Sequence, residues 1–272
     1  NLIQPVALLI DPKIVLSAGE LNVVGAGDLL SCLTASFDWK LNSLVARNYI
    51  PGTEKKFNQE ICDGAMELIG LLAENIDELN AMRDYGVILK KERNGEALSI
   101  DEQESKAEIK AKAEDGLRFI CRAYHWVAEQ SWNMQHTMWE SASEHGMFDY
   151  MEYICGTEFT HGQIIGLCVY FMSKLQDNEH ERAVNMIKRL KLDITLNNLA
   201  AEESNNSKVT PDKLRQCLEG VRAYLTGENY RYTIISAKEM TAEWIDRALQ
   251  EYYRDFPTDY MGQPNKGVSI YN

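Results

Sequence analysis

The sequence predicts a mainly α-helical fold, and two observations support that prediction. Glycine and proline are sparse, at 17 and 6 of 272 residues, which disfavours a β-sandwich with its many glycine- and proline-rich turns. Apolar residues also recur at helical spacing, as in the run Met147, Phe148, Met151 and Ile154. At this length, with 45% hydrophobic residues, the chain can bury a substantial core.

The composition also excludes several classes of function. The net charge is −13, from 28 Lys and Arg against 41 Asp and Glu, and no stretch is strongly basic, so we expect no nucleic-acid partner. No apolar run is long enough for a membrane span, and no stretch resembles a signal peptide. The six cysteines are scattered without a C-x-x-C pair, which predicts reduced, buried thiols in a cytoplasmic protein.

The first segment, residues 1–16, predicts a strand and its exit. Residues 6–11 read V-A-L-L-I-D before Pro12, a pattern typical of a buried strand that ends in a turn. A single strand is not stable alone. We therefore expect it to join a sheet elsewhere or to be the final strand of a domain that precedes this chain, and the absence of an initial Met favours the second alternative.

Residues 17–254 are expected to form one helical domain. A glycine-containing stretch at 19–27 precedes a predicted helix from about Asp28 to Lys40, so Asp28 would lie in its first turn. There Asp28 could act as a helix N-cap or as a functional ligand. One helix or two are predicted over 56–85, ending near Gly86.

Residues 87–115 are dense in both signs of charge, which predicts a solvated insertion containing a charged helix. Residues 255–272 are expected to be a loose C-terminal tail. Further helices are predicted over 116–136, 160–175, 179–190, from Thr210 and over 241–253, with a polar loop at 201–208 and a short extended piece at 230–235.

Three residues are candidate metal ligands: Asp28, His145 and His161. His145 precedes an apolar helical run, and Thr160 is a plausible N-cap that would put His161 in the first turn of the next helix. If those helix ends fold back on each other, the two imidazoles and the carboxylate form an N, N, O donor set with a vacant position, as in catalytic zinc sites. Iron would also accept these donors. The histidine spacing of sixteen residues (161 minus 145) is by itself a weak signal.

Other candidates have simpler interpretations. His125 and His136 are expected to be packed or surface histidines rather than ligands. Trp39 and Trp139 could line a pocket or pack in the core.

Four segments resemble sn-glycerol-1-phosphate dehydrogenases, which belong to the superfamily of iron-containing alcohol dehydrogenases, glycerol dehydrogenase and 3-dehydroquinate synthase. Residues 25–41 read G-A-G-D-L-L-S-C-L-T-A-S-F-D-W-K-L and resemble the family's G-x-G-D-L-x-x-x-x-T-A-x-x-D-W-K-L. Residues 141–145, S-A-S-E-H, resemble S-G-S-E-H, and residues 160–167, T-H-G-Q-I-I-G-L, resemble H-G-E-x-V-x-x-G. Residues 230–235, Y-R-Y-T-I-I, resemble R-x-R-Y-T-I-L, and all four follow the family's order.

The resemblance implies the C-terminal helical domain of the dehydroquinate synthase-like fold. Asp28, His145 and His161 match the family's three metal ligands, so Zn2+ or Fe2+ is the implied cofactor. The strand at 6–11 would then end a Rossmann-like domain missing from this chain, with which NAD or NADP is expected. Asp149 stands where many relatives carry a second histidine, and could accept a proton or support a ligand.

The sequence also departs from the family pattern. No glycine-rich NAD(P) loop is present, the charged stretch at 87–115 is unusual, and Trp139-Glu140 stand where many relatives have R-P.

Three functions therefore stay open. The first is a metal-dependent, NAD(P)-linked dehydrogenase of glycerol phosphate or a related polyol, present here as its catalytic domain. The second is a non-catalytic helical interaction module, and the third is a dehydroquinate synthase-like cyclase. For the first, we expect this chain to bind one ion and to need the nucleotide domain for NAD reduction. A homo-oligomer is the partner state considered for it.

Overall fold

The fold is mainly α-helical, as predicted. The computed structural model describes residues 10–45, 57–201, 203–226 and 231–271. Within those ranges it contains thirteen α-helices and one 3-10 segment. The β-structure found there is limited to two isolated antiparallel bridges, Phe159 with Ala200 and Thr258 with Pro264.

The helices of the first half of the chain are α1 Pro12–Leu16, α2 Glu20–Leu29, α3 Cys32–Leu44, α4 Gln59–Glu74, α5 Ile76–Arg93 and α6 Ile100–Met134. Those of the second half are α7 Ser143–Cys155, α8 His161–Gln176, α9 His180–Arg189, the 3-10 segment Glu203–Lys208, α10 Pro211–Leu225, α11 Ile234–Ala237, α12 Ala242–Asp255 and α13 Val268–Tyr271.

The N-terminal prediction can be compared with the structure only in part. Most of the predicted strand at 6–11 lies outside the described residues. Its expected exit is not a simple turn, because Pro12 opens helix α1. Asp11 caps that helix by accepting a hydrogen bond from the Lys13 backbone N–H at 2.8 Å, and proline is favoured in the first helical turn.

The prediction that a helix begins at Asp28 is wrong. The glycine-containing stretch is itself helical and forms α2, and the chain breaks at Leu30 and Ser31 before α3. Asp28 therefore lies in the last turn of α2, which also excludes the N-cap interpretation. The sequence pattern misled because Gly25 and Gly27 suggested a loop.

These glycines serve close helix packing instead. A Cβ atom built on Gly27 would lie 2.6 Å from the Gly162 carbonyl oxygen, and one on Gly162 would lie 1.7 Å from the Val24 carbonyl oxygen. Only hydrogen fits at either position, so α2 and α8 cross with their backbones nearly in contact. Helix α8 is central, as predicted, because residues 164–172 are all buried.

The charged stretch at 87–115 contains the end of α5 and the start of α6, so the predicted charged helix is confirmed, and its description as an insertion stays a prediction. Helix α5 continues through Gly86 to Arg93, and α6 begins after Ser99, whose side chain and that of Glu102 form a capping box. The two helices make a long hairpin that buries Ile88 and Ala113. Charges occupy its exposed face and include a 2.6 Å ion pair between Lys91 and Glu102.

The C-terminal segment after α12 is packed rather than loose, which corrects the predicted tail. Asn265 is 2% exposed; its amide donates to the Phe256 carbonyl at 2.9 Å and its oxygen accepts from the Leu196 N–H at 3.0 Å. Side-chain hydrogen bonds thus satisfy backbone groups that no helix or sheet satisfies here.

Other local predictions are confirmed. Thr210 caps α10 and Thr241 caps α12, each accepting a hydrogen bond from the N–H three residues later. The six cysteines are free; five are buried and Cys121 is half-buried. Of the predicted extended piece at 230–235, residues 231–233 lie outside regular secondary structure and helix α11 begins at Ile234.

No helix in the described ranges combines the length and the apolarity that crossing a membrane requires.

The crossing of α2 and α8 yields a test. We expect Gly162→Ala to destabilise the protein by about 1–3 kcal/mol or more, because its methyl group would overlap the Val24 carbonyl. Gly70→Ala in α4 is the matched control: its Cβ would meet no atom within 4 Å, so it should be neutral or stabilise by about 1 kcal/mol. Thermal unfolding followed by circular dichroism measures both, and a Gly162→Ala variant as stable as wild type would contradict the crossing.

Candidate metal centre

The three candidate ligands meet at one point, although Asp28 precedes His145 by 117 residues (145 minus 28) and His145 precedes His161 by 16 (161 minus 145). Asp28 lies near the end of α2, His145 in the first turn of α7, and His161 at the first position of α8. Asp28 Oδ1 is 3.2 Å from His161 Nε2 and 3.6 Å from His145 Nε2. One ligand atom from each residue lies within 4.8 Å of the others.

The turn between α7 and α8 brings the two histidines together. Helix α7 ends at Gly156, which adopts the left-handed conformation with φ of 59°, a common helix C-terminus for glycine. Thr160 then has the extended backbone of an N-cap, and His161 follows it, as predicted. The predicted break at 155–157 is therefore confirmed.

The donor atoms have the character of a cation site. Asp28 Oδ1 is buried and accepts no well-aligned hydrogen bond, although His161 Nε2 lies 3.2 Å and His145 Nε2 3.6 Å from it. His145 Nδ1 lies 3.0 Å from Glu144 Oε1, an acceptor, so we assign the ring proton to Nδ1 and a lone pair to Nε2. When His145 is neutral, as metal ligation requires, its Nε2 lone pair faces a carboxylate lone pair, and a cation between the two atoms would stabilise that arrangement.

The donor set fits the ions that the resemblance implies. Two imidazole nitrogens and one carboxylate oxygen leave a position for water or substrate on zinc. Fe2+ accepts the same ligands. Metal binding itself stays a prediction.

The charges of Asp28 and His145 shift each other's pKa toward the ionised form. Burial raises the pKa of Asp28, but the neighbouring His161 and His145 lower it more, so the net pKa lies below the usual aspartate value. Burial lowers the pKa of His145, whereas its hydrogen bond to Glu144 and the charge of Asp28 raise it, and the net shift is upward. A bound cation would instead favour the neutral imidazole that ligation requires.

Glu144 fixes the orientation of His145. This role was not predicted from the sequence. Its side chain is fully buried, with Oε1 accepting from the Ala142 N–H at 2.6 Å and Oε2 from the Thr34 hydroxyl at 2.8 Å. Carboxylates that hold the second ring nitrogen of a ligating histidine set its tautomer and raise its basicity. The sequence signal that could have indicated Glu144 is its position directly before His145 in S-E-H.

Tyr124 of α6 supports Asp28, and no sequence signal indicated it. Its hydroxyl donates to the Gly25 carbonyl at 2.6 Å and lies 3.4 Å from Asp28 Oδ2. Burial and the charge of Asp28 raise the pKa of Tyr124, so it stays a neutral donor.

Asp38, in the D-W-K segment, holds the start of α7. It is fully buried; Oδ2 accepts from the Ser143 N–H at 3.2 Å and Oδ1 from the Ile234 N–H at 2.7 Å. Burial raises the pKa of Asp38 to about 7, with the Ser143 hydrogen bond opposing and the Glu144 charge adding to the shift.

The tryptophans and the remaining candidate histidines are structural. Trp39 and Trp139 are 1% and 0% exposed, so the core interpretation is confirmed and the pocket-wall interpretation is wrong. His136 is buried edge-on against Trp39, with ring centroids 5.1 Å apart. His125 is exposed on α6.

Asp149, the predicted proton acceptor, lies one helical turn after His145 on α7 and is exposed. Partial burial raises the pKa of its carboxyl, and the charges of His145 and His161 oppose that shift. The Asp149 carboxyl is therefore close enough to interact electrostatically with both histidines. Its catalytic role stays a prediction.

A cavity of about 200 Å³ adjoins Asp28 and His145. Its lining comprises Asp28, Leu29, Ser31, Cys32, Tyr124, Val127, Thr137, Glu140, Ser141 and His145. Burial raises the pKa of Glu140 to about 7, with a hydrogen bond from Ser131 opposing and the charge of Asp28 adding to the shift.

Comparison with known proteins adds no relative. A scan against protein-family models finds no match, and a search of the curated proteins finds none either. The likeness to glycerol-1-phosphate dehydrogenases therefore rests on the four sequence segments and stays a prediction.

Asp38 gives a prediction for the dependence of stability on pH. Its folded pKa of about 7 exceeds the unfolded value of about 4, so the folded state binds the proton more tightly. The contribution of Asp38 to the free energy of unfolding is therefore largest below about pH 4 and falls as the pH rises to about 7. We expect this slope to be lost in Asp38→Asn.

Denaturant unfolding of both proteins across that range measures the slope. Asp63→Asn, at an exposed carboxylate on α4, should keep the wild-type slope. A difference between wild type and Asp38→Asn that does not change with pH would contradict the assignment.

Proposed function

We propose that this chain is the metal-binding catalytic domain of a cytoplasmic NAD(P)-linked dehydrogenase that acts on glycerol phosphate or a related polyol. The observation that carries the proposal is the convergence of Asp28, His145 and His161, which come from separate helices, around an orphaned buried carboxylate oxygen. The same residues are those that the family resemblance independently implies as ligands. The free, mostly buried thiols are consistent with a reducing compartment.

Each part of the site has a role in this proposal. Asp28, His145 and His161 would hold Zn2+ or Fe2+, and Glu144 and Tyr124 keep two of those ligands oriented. When bound, the ion would lower the pKa of a substrate hydroxyl and stabilise the negative charge that develops on its oxygen. The adjoining cavity is large enough to hold the rest of a small polyol.

Proton and hydride leave by different routes. Asp149 is the proposed acceptor of the hydroxyl proton, because it lies one helical turn after His145 on α7 and its carboxylate interacts electrostatically with His145 and His161. The hydride would pass to NAD or NADP bound by the Rossmann-like domain that the resemblance implies before residue 16. A donor set of three residues would leave a coordination position on the ion for substrate, which is typical of catalytic rather than structural zinc sites.

Metal binding is the direct test. Calorimetric titration with Zn2+ should give one site per chain, and Asp28→Asn or His161→Ala should weaken the affinity by about 100-fold or more, because each removes a direct ligand. His125→Ala, at an exposed histidine of α6, is the matched control and should bind like wild type. Circular dichroism checks that every variant is folded.

Two results would overturn the proposal. One is a wild-type chain that binds no divalent ion. The other is an affinity that falls equally in His125→Ala and His161→Ala, since binding would then not depend on the triad. An intact site that binds neither glycerol nor glycerol phosphate would favour the interaction-module alternative.

A further inference from the structure

The cavity beside the triad has an unusual lining for a site that would receive a phosphate ester. Its polar groups are hydroxyls and carboxylates, contributed by Tyr124, Thr137, Ser141, Asp28 and Glu140. Among the described residues that line it, none is lysine or arginine. Phosphate groups in proteins are bound by such cations or by exposed backbone N–H groups.

Arg231 contacts two residues of the cavity wall, but its guanidinium already donates hydrogen bonds to them. Arg231 donates to the Ser141 carbonyl at 2.8 Å and to the Thr137 hydroxyl oxygen at 3.3 and 3.4 Å. These hydrogen bonds hold Thr137 and Ser141, two residues of the cavity wall, in place. Burial lowers the pKa of Arg231, and the charges of fully buried Glu144 and of Glu140 oppose that shift.

The remaining charges also cancel. A divalent cation held by Asp28 and two neutral histidines would carry a net charge of +1 (2 minus 1), and the charges of Arg231 and Glu144 cancel. At pH 8, above its pKa of about 7, Glu140 is mostly ionised and brings the total to about zero. A phosphate monoester carries about −1.5 to −2 at neutral pH. It would lose its hydration in this cavity without gaining a matching charge, which is costly.

Glu140 has an oxygen left for a ligand. Oε1 accepts a hydrogen bond from the Ser131 hydroxyl, and within the described ranges Oε2 has no hydrogen-bond partner. Thr137 accepts from Arg231 and keeps its own hydroxyl proton to donate. A carboxylate acceptor beside hydroxyl groups is the complement of an alcohol, which both donates and accepts.

The size of the cavity points to a small ligand. At about 200 Å³ the cavity is smaller than the roughly 300–1,000 Å³ typical of pockets for drug-sized ligands, so it suits a small ligand such as a three-carbon polyol.

We propose that this cavity selects an uncharged polyol over the corresponding phosphate ester, and that Glu140 reads the polyol by accepting a hydrogen bond from one of its hydroxyls. The inference rests on the proposed function, because the cavity is assigned to substrate through two of the candidate metal ligands, Asp28 and His145, which line its wall. It narrows that function from two substrate classes to one.

The test compares glycerol with glycerol phosphate on the Co2+-loaded chain at pH 8. Ligand binding is followed by the visible absorption of Co2+ and by calorimetry, so no turnover is needed. We expect glycerol to bind at least about tenfold more tightly than its phosphate ester. Glu140→Gln should weaken glycerol binding and reduce this preference by about tenfold, because the amide removes the repelling charge and weakens the acceptor.

Two further variants make the result interpretable. Glu129→Gln, at an exposed glutamate of α6, is the matched control and should keep the wild-type preference. Glu140→Lys should shift the preference toward glycerol phosphate, and Co2+ stoichiometry shows whether each variant retains its metal site.

The outcomes separate the two proposals. A chain that binds no Co2+ would overturn the proposed function. A loaded chain that binds glycerol phosphate as tightly as glycerol would overturn the substrate inference while leaving the metal site standing. An unchanged preference in Glu140→Gln would overturn the role of Glu140.

Discussion

The near-contact of the α2 and α8 backbones is the constraint on which the rest of the site depends. With glycine at 27 and at 162, no side chain separates the two helices where they cross. Asp28 and His161, each adjacent in sequence to one of these glycines, are thereby brought to 3.2 Å. Any side chain at the crossing would push the helices apart and separate the carboxylate from the imidazole.

A set of buried carboxylates completes the arrangement. Asp38 holds the first backbone N–H of α7, and Glu144 holds the ring of His145 while accepting from Thr34 of α3. Burying such groups is costly unless their hydrogen bonds are satisfied, and here the helix starts and a hydroxyl satisfy them. These hydrogen bonds hold the N-terminus of α7 in place, and His145 is the third residue of that helix.

Helix formation and the identity of the triad could be predicted from the sequence, but the supporting geometry could not. Caps such as Thr160 and Thr210 are local signals, and the candidate ligands followed from residue type and family likeness. The helical state of the stretch before Asp28 was missed because glycine favours loops locally, while its role in packing depends on a partner helix over 130 residues away (162 minus 27). Likewise, Tyr124 and Glu140 approach the site only through tertiary packing.

X-ray absorption at the zinc edge of the Zn2+-loaded chain tests the central claim most directly, because it counts the atoms bound to the ion. The account predicts nitrogen and oxygen scatterers at about 2.0–2.2 Å, with the multiple scattering of two imidazole rings that falls to one ring in His161→Ala. Sulfur scatterers at about 2.3 Å, or two imidazoles that persist in His161→Ala, would contradict it.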